Sequence, residues 1–156
     1  MPTSKEIDEL LSRLATAPGR FAAALSRLDD ADSVTGARPG EWSPAEVLAH
    51  LRASHAILEP RLLQMLVRDN PPLPAFDERR WLEVARFAAL PITASLEVMS
   101  LQRKELIYAL RGLSAADWER QGTHETGVPL TVYGLARQIA DHDDEHSEQI
   151  EGATNA

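Results

Sequence analysis

The chain has 156 residues, 44% of them hydrophobic, which suits one soluble domain with a buried core of its own. Its 24 acidic and 16 basic residues give a net charge of −8, which disfavours nucleic acids and anionic membranes as partners. Cysteine is absent, so the sequence excludes disulfides, zinc–thiolate sites, iron–sulfur clusters and a cysteine nucleophile. We expect a cytoplasmic protein, because the charged start does not fit a signal peptide and no apolar stretch approaches about 18 residues.

The first segment predicts a helix followed by a loop. Thr3 and Glu6 match a capping box, in which a hydroxyl and a carboxylate satisfy each other's backbone donors. Apolar residues then recur at helical spacing, and Pro18-Gly19 is expected to kink or break this helix. Residues 33–42 predict a loop, since they include two glycines and a proline.

The second helix has the clearest start signal in the chain. Ser43 can cap it, Pro44 occupies the first helical position, where a missing N–H costs nothing, and Glu46 completes a capping box. The apolar pattern lets the helix run to about Asn70, where prolines stop it. Residues 71–90 then predict a long connection with a short helical middle.

Two further helices complete the pattern. Pro91 can open the third helix, and Gly112 is placed to end it. Residues 120–130 predict an exposed loop or small hairpin, and Thr131 can cap the last helix. Each long helix has a one-sided apolar stripe. The fold that accommodates them most simply is all-α, a four-helix bundle with a long connection between helices 2 and 3.

Two histidines on the last helix indicate a metal site. His142 and His146 are four residues apart, so both imidazoles point the same way and their Cβ atoms lie roughly 6 Å apart. They share a face with Leu135, Ile139 and Ile150, and so replace apolar residues on the core-facing stripe. The spacing lets both rings reach one divalent ion, but it also fits two partly buried histidines that hydrogen-bond to neighbours.

Acidic residues crowd the same two turns, namely Asp141, Asp143, Asp144, Glu145 and Glu148. They fit a solvated helix face. They also fit a site that attracts a cation and offers acceptors for imidazole N–H groups. The sequence alone does not choose between these two roles.

A third metal ligand would have to come from elsewhere in the chain. On the second helix, His55 lies nearer the centre of the apolar stripe than His50, which lies towards its edge. These positions around the helix favour His55 as a packed core residue and His50 as a boundary residue. They do not decide which of the two histidines is a metal ligand. His124 falls in a glycine-rich loop and is expected to be exposed.

The sequence around His50 resembles a known family. Residues 40–51, GEWSPAEVLAHL, followed far downstream by Asp141-His142 and His146, resemble the DinB/YfiT-like family of four-helix bundles, many of which are described as metal-dependent hydrolases. Further segments match in order, at residues 76–81, 102–103, 110–118, 120–124 and 127–130. We therefore expect a single DinB-like domain over residues 1–152, with a frayed tail over residues 153–156.

The resemblance implies a metal triad of one histidine from helix two and the histidine pair of helix four. Carried over to this sequence, the ligands are His50, His142 and His146. The resemblance thus selects His50, although His55 lies nearer the centre of the apolar stripe. Three imidazoles leave coordination positions open for water or substrate, and both zinc and nickel suit them.

The resemblance also implies a metal-dependent enzyme. Bacillithiol and mycothiol enzymes of the wider family resemble thiol S-transferases or isomerases, and the same site could instead activate water as a hydrolase. Candidate helpers are Asp77, Glu78 and Arg103, which fit equally well as ordinary surface or bundle-edge charges. We expect a small-molecule substrate, a bacillithiol- or mycothiol-like thiol and a homodimer. The alternatives are a metal-binding module without turnover, and a stress-related or dimerisation bundle whose metal site has decayed.

Overall fold

Four long helices form the bundle in this computed structural model, which describes residues 1–29, 33–36 and 41–153. The elements in chain order are α1 (Ser4–Leu25), α2 (Pro44–Val67), β1 (Pro72–Leu73), α3 (Glu78–Ala85), α4 (Ile92–Arg111), α5 (Ala115–Trp118), β2 (Gln121–His124), β3 (Pro129–Thr131) and α6 (Val132–Ala153). Helix α1 packs against α4 and α6, and α2 packs against the same two helices. The predicted four-helix bundle is confirmed, with α1 and α2 on one diagonal and α4 and α6 on the other.

The predicted start signals are present at three long helices. Thr3 and Ser43 each accept the backbone N–H of a glutamate three residues later, and each glutamate accepts the N–H of its cap residue. The Thr131 hydroxyl accepts the N–H of Gly134 at 2.9 Å at the start of α6. Each of these bonds satisfies a backbone donor that the first turn of a helix leaves free.

Two predicted boundaries differ from the structure. Helix α1 continues through Pro18 without a break, because Ala17 and Phe21 on either side are buried and hold both halves in the core. Helix α2 ends at Val67 rather than near Asn70, and Asn70 adopts a positive φ of 43°. The residue before a proline is disfavoured in helical conformation, so the chain leaves the helix before Pro71.

A three-stranded sheet lies beside the bundle, in the order β1-β2-β3. Strands β2 and β3 form the hairpin that was one alternative for residues 120–130, with Gly127 in its turn at a φ of 82°. Strand β1 pairs with β2 in parallel. It was not predicted, because it is only two residues long and lies among prolines.

Buried apolar residues form two clusters that follow each other along the helices. One includes Leu62 of α2 and Leu106 of α4, and the other includes Leu48 of α2 and Met99 of α4. Buried polar residues lie between the two clusters: Ser54 and His55 on α2, Arg103 on α4, and Asp143 and Ser147 on α6. Buried polar groups need hydrogen-bond partners, so this layer has to be organised by specific contacts.

Two predictions fall partly outside the described residues. The loop over residues 33–42 is described only at 33–36 and 41–42, and of the tail over residues 153–156 only Ala153 is described, as the last residue of α6. Within the described ranges, no helix combines the length and the apolar character needed to cross a membrane.

Gly122 in β2 allows the sheet to contact the bundle closely. A Cβ added there would lie 2.9 Å from Cδ1 of Leu73 and 3.0 Å from Cγ of Met65, whereas one added at Gly19 would meet nothing within 4 Å. We expect Gly122→Ala to lower the free energy of unfolding by about 1–3 kcal/mol through overpacking. Gly19→Ala should raise it by up to about 1 kcal/mol, since alanine favours the helix. Urea unfolding would measure both, and equal shifts would contradict the prediction.

Candidate metal centre

Three histidine side chains from α2 and α6 converge on one point. Nε2 of His142 lies 2.7 Å from Nε2 of His50 and 3.1 Å from Nε2 of His146. The donor atoms of the three residues all lie within 4.8 Å of one another. His50 and His146 are only 5% and 9% exposed, so the cluster is sheltered from solvent on most sides.

Neighbouring side chains orient two of these rings. Nδ1 of His146 donates to Oε1 of Gln149 at 2.8 Å, and because a carboxamide oxygen only accepts, Nε2 of His146 keeps its lone pair. Nδ1 of His50 lies 2.7 Å from Oε1 of Glu78, although it has no hydrogen bond of good geometry. The carboxylate attracts the ring proton of His50 to Nδ1, so a second Nε2 lone pair faces the same point.

The donor set fits a divalent cation. Two imidazole ligands of a tetrahedral zinc ion, each about 2.0–2.1 Å from the metal, lie roughly 3.3 Å apart. The nitrogen separations of 2.7 and 3.1 Å need only a small outward movement to reach that value. Neutral imidazole nitrogens suit zinc, nickel, copper and iron, and three protein ligands leave further positions open.

Burial and neighbouring charges disfavour the protonated, charged form of the rings of His142 and His146. Burial first, and then the neighbouring rings of His146 and His50, lower the pKa of His142 from 6.5 to about 4. Burial also lowers the pKa of His146. The contact with His50 lowers the pKa of Glu78 against the opposing effect of burial, and the Ser54 hydroxyl, which donates to Oε1 at 2.6 Å, adds to the effect. At neutral pH, the imidazoles of His142 and His146 are therefore neutral and the carboxylate of Glu78 is ionised.

The cluster lies between an aromatic side chain and two cavities. The Trp42 ring stands 4.7 Å from the His50 ring, centroid to centroid, and stacks at 6.4 Å on His146. A cavity of about 440 Å³ is bordered by His142 and Glu78, and a second of about 250 Å³ is bordered by Trp42 and Glu78. A ligand in the larger cavity can thus approach the histidines from the side of His142.

The three candidate helpers occupy different environments. Glu78 contacts the cluster through His50 and borders both cavities. Asp77 is the N-cap of α3, where its carboxylate accepts the backbone N–H of Arg80 at 2.9 Å. Arg103 is buried and borders neither of the two cavities beside the cluster. Catalytic roles for Asp77 and Arg103 stay predictions.

Arg103 belongs to a buried polar chain that ends on α2. Its Nε and Nη2 each donate to Asp143 at 2.6 Å, and Nη1 donates to Nδ1 of His55. Since that nitrogen accepts, the proton of His55 is on Nε2, which donates to Glu59 at 2.8 Å. His55 is 2% exposed, as the helical phase predicted for a packed residue, and its contacts point away from the cluster.

The acids next to the histidine pair do not orient its rings. Asp141 and Asp144 each accept from Arg13 of α1 at 2.6 Å, Asp143 is paired with Arg103, and Glu145 and Glu148 are exposed. The ring of His146 is instead held by Gln149, and Glu78 faces the ring of His50. The spacing of Gln149, three residues after His146 on one helix face, could have indicated its role, whereas nothing local links Glu78 to His50.

Comparisons with known proteins agree on one family. The model of the DinB superfamily matches residues 13–150. A protein of Oceanobacillus iheyensis, provisionally named a metal-dependent hydrolase, is 30% identical over 126 residues, which cover 81% of this chain and 73% of that protein. A protein of Halalkalibacterium halodurans with the same provisional name is 24% identical over 149 residues, covering 96% of this chain and 86% of that one.

Solved structures share the fold. YfiT from Bacillus subtilis, described as a probable metal-dependent hydrolase with an unusual four-helix bundle topology, matches with a TM-score of 0.92 at 21% identity, over 99% of this chain and 89% of that one. A mycothiol-dependent maleylpyruvate isomerase matches with a TM-score of 0.74 at 17% identity, over 96% of this chain and 61% of that one. Because the family model spans residues 13–150 and the relative with 30% identity covers 81% of the sequence, this chain belongs to the DinB superfamily.

Proposed function

We propose that His50, His142 and His146 bind one divalent metal ion and that the protein is a metal-dependent enzyme that transfers a low-molecular-weight thiol to an electrophile. The observation that carries the proposal is the convergence of three Nε2 atoms beside a cavity of about 440 Å³. Cavities of this size suit small-molecule ligands. Zinc and nickel both fit the donor set, and homodimerisation stays a prediction.

His50, His142 and His146 would hold the divalent ion, and when bound it would lower the pKa of a thiol or of water so that the nucleophile is available at neutral pH. The chain contains no cysteine, so the thiol has to be supplied as a small molecule. Its sulfur forms a bond to the electrophilic carbon, the leaving group departs with the electron pair of the bond that breaks, and the thiol proton passes to solvent.

The state of Glu78 favours a thiol over water as the nucleophile. A general base for water works best with a pKa near neutral, but the contacts of Glu78 with His50 and Ser54 lower its pKa. The acids Asp141, Asp143 and Asp144 are held by arginines. A thiol needs little help from a base, since its ordinary pKa is already near 8.5. The fold likeness to a mycothiol-dependent enzyme supports the same choice.

Hydrolysis is the second candidate. It is supported by the provisional names of the relatives, which are metal-dependent hydrolases. In this case a water molecule takes the place of the thiol, and Glu78 is the carboxylate nearest to the histidines that also borders the cavity.

Activity assays with and without thiol separate the two candidates. With metal-loaded protein, a supplied thiol and 1-chloro-2,4-dinitrobenzene, we expect thioether formation that stops after chelation and in His142→Ala. Arg137→Gln should retain it, because Arg137 is exposed and borders neither cavity beside the cluster. Metal-dependent hydrolysis of 4-nitrophenyl acetate without thiol would favour the second candidate, and stoichiometric metal without either reaction would indicate a binding module.

Metal analysis of variants tests the ligand set. Removing one of three ligands in His50→Ala should reduce bound metal to trace levels, as measured by elemental analysis of protein purified without added metal. His55→Gln should retain metal, since His55 contacts Arg103 and Glu59 instead. Glu78→Gln should weaken binding by about 10–100-fold, the usual effect of losing the partner of a ligand. Loss of metal in His55→Gln but not in His50→Ala would contradict the assignment.

The metal-free protein should lose stability in acid. His142 has a pKa of about 4 in the folded state and near 6.5 in the unfolded state, so the unfolded state binds more protons between these values. The free energy of unfolding therefore falls as the pH decreases from about 6.5 to about 4. Urea unfolding at several pH values would measure this slope. His142→Gln, which has no titrating ring, should flatten it, and an unchanged slope in that variant would contradict the prediction.

A further inference from the structure

The larger cavity beside His142 has polar residues on three helices and on the sheet. They include Ser54 and Arg61 of α2, Glu78 of α3, His142 and Glu145 of α6, and His124 of β2. The cavity thus extends from the histidine cluster along α2. The end of the cavity away from the histidines is also lined by polar side chains. Metal binding by the histidines does not by itself require polar side chains there.

Arg61 lies at that end without a carboxylate in ion-pair contact. Its Nη2 donates to the carbonyl oxygen of Pro74, and its guanidinium carbon lies 5.0 Å from the centre of the Phe76 ring. No carboxylate among the described residues lies within ion-pair distance of it. Burial lowers the pKa of Arg61, and the charge of Glu125, which accepts the backbone N–H of Ala75, opposes this effect from a greater distance. A guanidinium has five N–H donors, so a positioned cation with unused donors faces this cavity.

His124 adds a second donor. Its Nδ1 accepts the backbone N–H of Thr126 at 3.3 Å and lies 2.9 Å from the hydroxyl of the same residue. The ring proton of the neutral form is therefore on Nε2, which leaves an N–H donor on the side of the ring opposite to Thr126. Arg61 and His124 together provide the kind of donor pair that binds a carboxylate.

The acids around the cavity do not cancel this positive charge. Asp141 is paired with Arg13, and Glu78 is occupied by Ser54 and His50. Glu145 is exposed, where solvent screens its charge.

The separation between the two ends suits a small linear molecule. Arg61 follows His50 by eleven residues on α2, which corresponds to roughly 16 Å along the helix axis. Side chains on a helix lean towards its N-terminus, and this direction brings the guanidinium closer to the cluster. A ligand with one end at His142 and the other at Arg61 is therefore several bonds long.

We propose that Arg61, with His124, binds a carboxylate group of the ligand whose reacting end lies at the histidine cluster. The inference rests on the proposed function and narrows its ligands to organic acids. The carboxylate can belong to the thiol or to the electrophile, and both sources present the same chemistry to Arg61.

Calorimetric titration of metal-loaded protein with ω-mercapto acids of increasing length, each beside its uncharged amide, tests the inference without an activity assay. At the best length we expect the acid to bind about tenfold more tightly than its amide. Arg61→Gln should abolish this preference, and Arg61→Lys should keep part of it, because lysine retains the charge but not the planar fork. Arg137→Gln is the matched control, since it removes an exposed arginine that does not border the cavity and should leave the preference intact.

Equal affinity of acid and amide, or a preference that survives Arg61→Gln, would overturn the inference. Circular dichroism of both Arg61 variants checks that they are folded. If instead the proposed metal function fails, plain carboxylic acids should bind as well as mercapto acids while the dependence on Arg61 remains. A second titration shows which ligand carries the carboxylate: hexanoate is added to protein already saturated with a neutral mercapto amide. If hexanoate still binds, the carboxylate belongs to the electrophile. If the mercapto amide excludes hexanoate, the carboxylate belongs to the thiol.

Discussion

The bidentate ion pair between Arg103 and Asp143 is the contact on which the geometry of the histidine cluster depends. Both side chains are almost fully buried, and two N–H groups of Arg103 donate to the two carboxylate oxygens at 2.6 Å. The pair joins α4 to α6 across a diagonal of the bundle. Because Asp143 is next to His142 and one turn before His146, fixing its carboxylate also fixes the rotation of α6 about its axis. Removing one partner of such a pair typically costs about 3–5 kcal/mol, since a buried charge is left uncompensated.

The same pair explains why α2 carries two buried histidines with different roles. His50 and His55 are five residues apart, so they point about 140° away from each other around the helix axis. One faces α6 and the histidine pair, and the other faces Arg103 on α4. The two apolar clusters above and below this layer hold the helices at a distance that lets both sets of contacts form.

Much of the fold could be predicted because it is encoded locally. The hydroxyl and carboxylate pairs at Thr3 and Ser43 specify helix starts within four residues, and the apolar stripes specify four long helices. The sheet was harder, because the pairing of β1 with β2 joins segments about fifty residues apart and β1 has no pattern of its own. At Pro18, the burial of neighbouring side chains outweighed the local preference of proline, and tertiary packing of this kind is not visible in a short window.

The candidate site shows the same division. The pair His142 and His146 could be recognised from spacing on one helix, whereas the approach of His50 depends on how two helices pack and followed only from the family resemblance. Helical phase placed His55 correctly in the core but gave no reason to exclude it as a ligand. Glu78 approaches His50 from the connection after α2, and Arg61 borders the same cavity as His142. Neither position could be recognised from a repeating pattern in the sequence.

The pairing of β1 with β2 affects which parts of the cavity lining can vary during evolution. This pairing joins the connection after α2 to the hairpin before α6. A further hydrogen bond links the same two segments, from the backbone N–H of Ala75 to Glu125 at 2.9 Å. The two segments that contribute Phe76 and His124 to the cavity are thus joined to each other, and Arg61 joins the first of them to α2 through the carbonyl oxygen of Pro74. Substitutions near Phe76 and His124 can therefore change the lining of the cavity without replacing any of the three histidines.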